Sequence, residues 1–328
     1  MVIVMKIQLI HKFEDIISIE NLLEAWKEFL RGKRNKPDVQ EFSLNLFDNI
    51  LQLHQELANK SYQHGNYYRF TISDPKPRII HKASVRDRLL HHAVHRVLYP
   101  FFERIFIADS FSCRINKGTH RSINRFRFFA YKVSKNHTRT CWVLKCDIRK
   151  FFHSIDHGIL MEILSSYIAN EDIIWLLKSI IDSFNTAPEK GLPLGNLTSQ
   201  LFANLYMNEL DQFIKHHIKA RHYIRYADDF VILSDNRQWL ESAVSLIEKF
   251  LHDELKLSLH PDKLSIRTFA SGVDFLGWVH FSDHRVLRTV TKRRMFKRVE
   301  ANPSPETVNS YLGLLRHGNA DKLRKLLE

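Results

Sequence analysis

Residues 222–231 read HYIRYADDFV. Asp228 and Asp229 stand side by side between apolar, aromatic and β-branched residues whose pattern predicts two paired strands. A half-buried strand carries two neighbouring charges only where something neutralises them. Hairpin turns favour Asn-Gly or Asp-Gly, and this one holds no glycine. For the tetrapeptide alone an acidic surface turn stays an open reading. One other acid follows a strongly apolar strand: Asp147, in WVLKCDIRKFF, 81 positions before Asp228. By itself Asp147 reads as a strand-end cap. If its strand lies beside the hairpin, Asp147 and Asp228 meet at one end of a sheet, where they repel unless a cation sits between them. Hard divalent cations take oxygen ligands, and Mg²⁺ suits a site that borrows phosphates. Two such ions can activate an attacking hydroxyl and steady a departing pyrophosphate.

The rest of the composition agrees with a polyanionic partner. The 328 residues carry 49 Lys and Arg against 36 acids, a net charge of +13. Such a field favours nucleic acid. No basic amphipathic anchor and no apolar run near the ~20 residues of a spanning helix points to a membrane. MVIVMKIQLI at the N-terminus lacks a basic leader and a cleavage site. Cys113, Cys141 and Cys146 form no CxxC pair, which fits a reducing cytoplasm. His91, His92 and His95 recur along a helical stretch without a cysteine or an HExxH pattern, and read as surface or phosphate-facing rather than zinc-binding.

Apolar spacing predicts helices through much of 14–64, short strands over YYRFTISDPKPRIIH, and a long helix from Val85 to Phe106, kinked or ended near Pro100. From Thr140 the pattern changes to strand WVLKCDI, helical FFHSIDHGILMEILSSYI and EDIIWLLKSIIDSF, the turn GLPLGN, a long helix from Leu197, the hairpin, and another helix from Arg237. Strands return over 257–281, and two helices separated by ANPSPE close the chain. This is an α+β pattern, not a regular βαβ series.

YADD between two apolar strands, with DIRKFFHSID and GLPLGNLTSQLFANLYMNELD upstream, resembles the palm of a reverse transcriptase. PKPRIIHKASVRDRLLHHAVHRVLYPFFERIF and FSCRINKGTHRSI resemble the fingers of group II intron-like bacterial members, SLHPDKLSI and DFLGW the later palm motifs, and SYLGLLRHGN part of the thumb. The resemblance implies a right-hand polymerase fold: an N-terminal extension and fingers over 1–139, a palm of antiparallel sheet and helices over 140–282, and a short helical thumb over 283–328. It implies an RNA-directed DNA polymerase using two Mg²⁺ ions, with Mn²⁺ as a substitute, deoxynucleoside triphosphates, template RNA and cDNA. Asp147, Asp228 and Asp229 would be catalytic, with Asp147, Asp228 and the Ile148 carbonyl holding metal. Phe152 would sit beneath the incoming sugar and exclude a 2′-hydroxyl; core packing is the plainer reading, which Phe151 fits better. Arg78 and Lys76 would meet the triphosphate, Arg114 the nucleotide or template, and Lys263 the leaving pyrophosphate. Lys292, Arg293, Arg294, Lys297 and Arg298 would meet duplex phosphates.

One substitution pattern narrows the resemblance. Many relatives carry Gln-Gly and later Ser-Pro where this chain has Leu194-Gly195 and Ser199-Gln200. That resembles reverse transcriptases of diversity-generating retroelements, which copy a template RNA with errors at adenines and work with a small basic pentameric accessory protein. Leu194, Gly195 and Gln200 would then line the nucleotide site, and Leu194 offers no hydrogen bond. Other readings are another bacterial reverse transcriptase (phage defence, CRISPR-associated or group II intron-derived), a non-catalytic RNA-binding scaffold, and an RNA-directed RNA polymerase.

Overall fold

The computed structural model describes residues 7–73 and 77–327. In chain order the helices are α1 (Phe13–Ile17), α2 (Ile19–Phe29), α3 (Pro37–Leu44), α4 (Leu46–Ala58), α5 (Val85–Glu103), α6 (Thr119–Val133), α7 (Phe151–Ser154), α8 (His157–Ser165), α9 (Glu171–Asp182), α10 (Leu197–His216), α11 (Arg237–Leu255), α12 (Thr289–Ala301), α13 (Pro305–Leu315) and α14 (Asp321–Lys325). The strands are β1 (Tyr68–Ile72), β2 (Arg78–Lys82), β3 (Trp142–Asp147), β4 (Tyr223–Tyr226), β5 (Asp229–Ser234), β6 (Ser265–Thr268), β7 (Val273–Phe275), β8 (Trp278–His280) and β9 (Arg285–Leu287). They form two compact units between which the chain passes repeatedly.

The first unit holds the described residues up to Ile107, with Arg149–Asp211 and Leu251–Leu257. It is helical apart from the antiparallel pair β1–β2. Ser84 caps α5 by accepting from the Asp87 amide, and the buried Asp87 carboxylate takes hydrogen bonds from Tyr62, Ser84 and the Gly65 amide. Burial beside that carboxylate pushes the Tyr62 phenol far above its usual range. Helix α5 runs through Pro100 to Glu103 instead of ending there. Proline removes one backbone donor, but Phe101 and Phe102 are buried and pack edge-on against Tyr167, which holds the last turn in place.

One histidine of this helix overturns the surface reading, while His92 and His95 are half-buried. His91 is fully buried, its Nε2 lies 3.2 Å from His64 Nε2, and its Nδ1 lies 3.4 Å from the Thr198 hydroxyl. Burial lowers the pKa of His91 to about 3 and those of His92 and His95 to about 4, so all three are neutral. Among the described residues no group of three or more His, Cys, Asp or Glu side chains is placed to hold a metal ion.

The second unit comprises Ala108–Ile148, Gln212–Phe250 and the described residues from Ser258 onward. Its main sheet has the order β4-β5-β3-β6, entirely antiparallel. The core joins Val143, Ile224, Val231 and Leu233 of this sheet to Ile123, Phe126 and Phe129 of α6. It continues into Phe275, Trp278 and Leu287 of the sheet β7-β8-β9, and into Met295 of α12 and Leu315 of α13. Three helices, not two, close the chain; the short α14 follows His317-Gly318. Gly318 is required by packing: a Cβ there would run into the ring of buried Trp278.

Candidate active site

β3 lies between β5 and β6, so its C-terminal end reaches the turn that joins β4 to β5. In the antiparallel register Tyr226 faces Asp229, which leaves a two-residue turn of Ala227 and Asp228. Ala227 takes a positive φ of 55°, a conformation that favours glycine. Arg225 holds it: this almost wholly buried guanidinium donates to the Ala227 carbonyl at 3.1 Å. The Arg225 backbone is pinned in turn, its amide to the Asp109 carbonyl and its carbonyl to the Phe111 amide.

β3 brings the upstream acid to this turn. The register sets Asp147 directly opposite Asp229, and the Ile148 amide donates to the Asp228 carbonyl at 3.1 Å. The strand does lie beside the hairpin, so Asp147 and Asp228 come to the same end of the sheet as expected, and the ladder adds Asp229 as the direct cross-strand partner of Asp147. Lys145, two residues before Asp147, lies on that same face. Its Nζ donates to the Asp274 carbonyl at 2.7 Å and stands 3.8 Å from Asp229 Oδ2. Asp147 accepts from Lys263 Nζ at 2.6 Å, and its carbonyl accepts from the His260 amide.

Asp229 carries the electrostatic tension of the site. Its Oδ1 is buried without a hydrogen-bond partner. Burial raises its pKa to about 7, Lys145 opposes the rise, and Asp147, Asp228 and Asp274 add to it. A buried carboxylate oxygen left without a donor is costly. The oxygens present, two or three carboxylates and main-chain carbonyls, are the donors a hard divalent cation prefers. Asp147, Asp228 and Asp229 supply oxygens of that kind at one end of the sheet. With no complete set of three side chains among the described residues, such an ion would keep water or phosphate ligands.

The other expected residues divide between the units. In the first, the Leu194 carbonyl accepts from the His81 amide of β2, tying the 191–196 loop to the strand that begins at exposed Arg78. Gly195 has a φ of 111°, and a Cβ there would meet Ile80 Cγ2 at 2.9 Å, so only glycine lets loop and strand approach. The Phe152 carbonyl accepts from the Leu192 amide. Phe151 is buried and Phe152 half-buried, with their rings edge-to-face. Gln200 is half-buried in the first turn of α10. Lys76 lies outside the described residues. In the second unit Arg114 is buried, and its guanidinium donates to the Ser110 carbonyl and hydroxyl. On α12, Lys292, Arg293, Lys297 and Arg298 are exposed and Arg294 is half-buried, while Met295 turns inward.

Lys145, Arg225 and Asp274 were not among the residues expected from sequence. Lys145 carried a signal: a lone lysine in an apolar strand, at the two-residue step from Asp147 that shares its face. Arg225 and Asp274 carried none.

The family model described as reverse transcriptase (RNA-dependent DNA polymerase) matches residues 70–280. The chain belongs to the reverse transcriptase family. Among related proteins, Protein YkfC of Escherichia coli is 26% identical over 298 residues, covering 78% of this chain and 76% of that protein. The group II intron-encoded protein LtrA of Lactococcus lactis is 22% identical over 324 residues, 76% of this chain and 52% of LtrA. Two telomerase structures share the fold of this reverse transcriptase. Apo telomerase from Candida tropicalis, truncated from its C-terminal domain, superposes with a TM-score of 0.50 at 12% identity, over 74% of this chain and 60% of that one. Telomerase from Candida albicans, in complex with a TWJ fragment of telomeric RNA, gives 0.51 at 11%, over 74% and 51%. The chain thus spans about half to three-fifths of those telomerase chains. No helix among the described residues is long and apolar enough to cross a membrane.

Proposed function

We propose that the chain copies an RNA template into cDNA from deoxynucleoside triphosphates in the cytoplasm, with Asp147, Asp228 and Asp229 at the reacting centre. The register that brings Asp147 opposite Asp229, with a buried oxygen in want of a cation, carries this reading. Two Mg²⁺ ions, or Mn²⁺ in their place, would supply activation of the primer hydroxyl and charge neutralisation at the phosphates. Asp147, Asp228 and the Ile148 carbonyl would hold them, and Asp229 would support the site from the facing strand. The primer 3′-oxygen bonds to the α-phosphorus, the α–β bridging bond breaks, and Lys263, already at the site, balances the leaving pyrophosphate. Arg78, with Lys76, meets the triphosphate; Phe152 sits under the sugar and selects against a 2′-hydroxyl; Arg114 steadies the loop near nucleotide or template. The cations of α12 follow duplex phosphates without reading sequence. Fingers, palm and thumb over 1–139, 140–282 and 283–328 describe this division of labour. Primer extension on an RNA template tests it: wild type extends and Asp228→Asn does not, and equal extension by both refutes the assignment.

Within the family we infer the diversity-generating subclass from Leu194-Gly195 and Ser199-Gln200. An apolar side chain at 194 contributes no oriented hydrogen bond to the incoming nucleotide, and one such contact contributes about 1–3 kcal/mol to discrimination. The enzyme then diversifies a target gene through adenine-directed errors, assisted by a small basic pentameric protein with RNA between the two. Sequencing cDNA from wild type and Leu194→Gln tests the reading. Fewer adenine errors in the variant support it; a wild type with no adenine bias favours another bacterial reverse transcriptase.

A further inference from the structure

From Ser110 to Cys146 the chain contains nine Lys and Arg and no Asp or Glu. Helix α6 lies in the middle of this stretch. Its inner face, with Ile123, Phe126 and Phe129, is buried in the core of the second unit. Its outer face is not apolar filler. Phe128 and Tyr131 are 45% and 44% exposed, one helical turn apart, and Arg121 seven residues before Phe128 and Lys132 four after it are exposed on the same side.

The cations sit at the rings. The Arg125 guanidinium lies 5.3 Å and Lys132 Nζ 5.5 Å from the Phe128 centroid. Arg125 is also paired with Asp109, and Arg127 donates to the Asp283 carbonyl. Arg121, Lys132, Lys135 and Arg139 are exposed and supply the outward charge. Beyond the helix, Lys135, Asn136 and His137 all take positive φ (48°, 61° and 66°). Three successive L-residues seldom hold that conformation. It is fixed here by the Asn136 amide to the Tyr131 carbonyl, the His137 amide to Ser134 Oγ, and the Arg139 amide to the Ser134 carbonyl. The turn brings His137 edge-on to Tyr131.

We propose that the outer face of α6 and the turn after it bind single-stranded nucleic acid, RNA in the first place, with Phe128 and Tyr131 as stacking platforms and Arg121, Lys132, Lys135 and Arg139 at the phosphates. Acid-free charge alone would serve any polyanion. Exposed aromatic rings interleaved with cations suit bases that are unstacked, since a duplex offers its phosphates but not its base faces. An acidic protein surface would use the charges and leave the rings idle. The surface uses none of the residues placed at the polymerase centre.

Fluorescence anisotropy of a short labelled oligouridylate with the full chain, across a salt series, tests the proposal. Phe128→Ala/Tyr131→Ala should weaken binding roughly tenfold or more without changing the salt slope. Lys132→Ala/Lys135→Ala should lower that slope by about 0.7 for each phosphate no longer neutralised. Phe128→Leu/Tyr131→Leu, which keeps apolar bulk but no π-face, should behave as the alanine pair and separates stacking from misfolding. An RNA hairpin stem should not respond to the aromatic variants, and the matching oligodeoxythymidylate measures the preference for RNA over DNA. Unchanged oligouridylate affinity in both aromatic pairs, or equal loss on the duplex, overturns the proposal. Absence of primer extension by the wild type would refute the polymerase reading and leave this result standing.

Discussion

Lys263 Nζ stands 2.6 Å from Asp147 Oδ1, an ion pair closed across 116 residues of sequence. The ammonium is a counter-charge to a carboxylate expected to hold a cation, so lysine and an added cation would compete for it. The Lys263 side chain is 40% exposed, which limits the pair to about 1 kcal/mol or less. Lys263→Ala should lower Tm by only a few degrees without metal and show a larger Mg²⁺-induced rise than wild type. Thermal melts with and without MgCl₂ decide it; an identical rise in both proteins removes the competition.

Asp229 makes a second test. Its carboxylate sits opposite Asp147 with one oxygen orphaned, so the charge opposes folding while serving the site. Asp229→Asn should leave Tm unchanged or higher in the absence of metal, and reduce primer extension roughly 100-fold or more. A variant that melts lower and loses activity in proportion would reduce Asp229 to a structural residue.

Acid should unfold the protein through its buried imidazoles. Burial, with the His64 imidazole beside His91 and Arg285 beside His280, lowers both to about 3 from an ordinary 6.5. The unfolded chain therefore takes up these protons first. Stability is intact above pH 6.5 and falls as the pH drops from there towards 3, by up to about 1.4 kcal/mol per pH unit for each group. Tm measured from pH 7 to pH 5 should fall, because His91, His92, His95 and His280 together outweigh Asp229, whose raised pKa gives the opposite slope, and His280→Leu should shallow the fall. A flat profile would mean that the unfolded state gains nothing from protonation.

Two glycines near the C-terminus should respond with opposite signs. Gly318→Ala drives a methyl into the Trp278 ring and should cost about 1–3 kcal/mol. Gly313→Ala, inside α13 with nothing within 4 Å of the added carbon, should stabilise by about 0.5–1 kcal/mol. Chemical denaturation of the two variants checks both; a loss at 313 comparable to that at 318 would mean that the open side of α13 is occupied.

Local chemistry decided which segments are helix and which are strand, and the acids followed from it. WVLKCD and HYIRYADDFVILS announce themselves by β-branched and aromatic residues, and Asp147, Asp228 and Asp229 stand out because charge at the end of an apolar strand is expensive. The tertiary structure decided the relations that depend on distant residues. Packing of Phe101 and Phe102 on Tyr167 decided between the two readings at Pro100, since α5 does not end there but runs on to Glu103. The same packing that buries α5 turned His91 from an expected surface group into a neutral buried one. Register, which is a property of two strands and of neither alone, set Asp229 directly across from Asp147 beside the Asp228 turn. Arg225 beneath Ala227 and Asp274 beside Lys145 became visible only where the chain returned to the same point. Spacing along a sequence reports which residues share a face; which face meets which is settled by the burial of both.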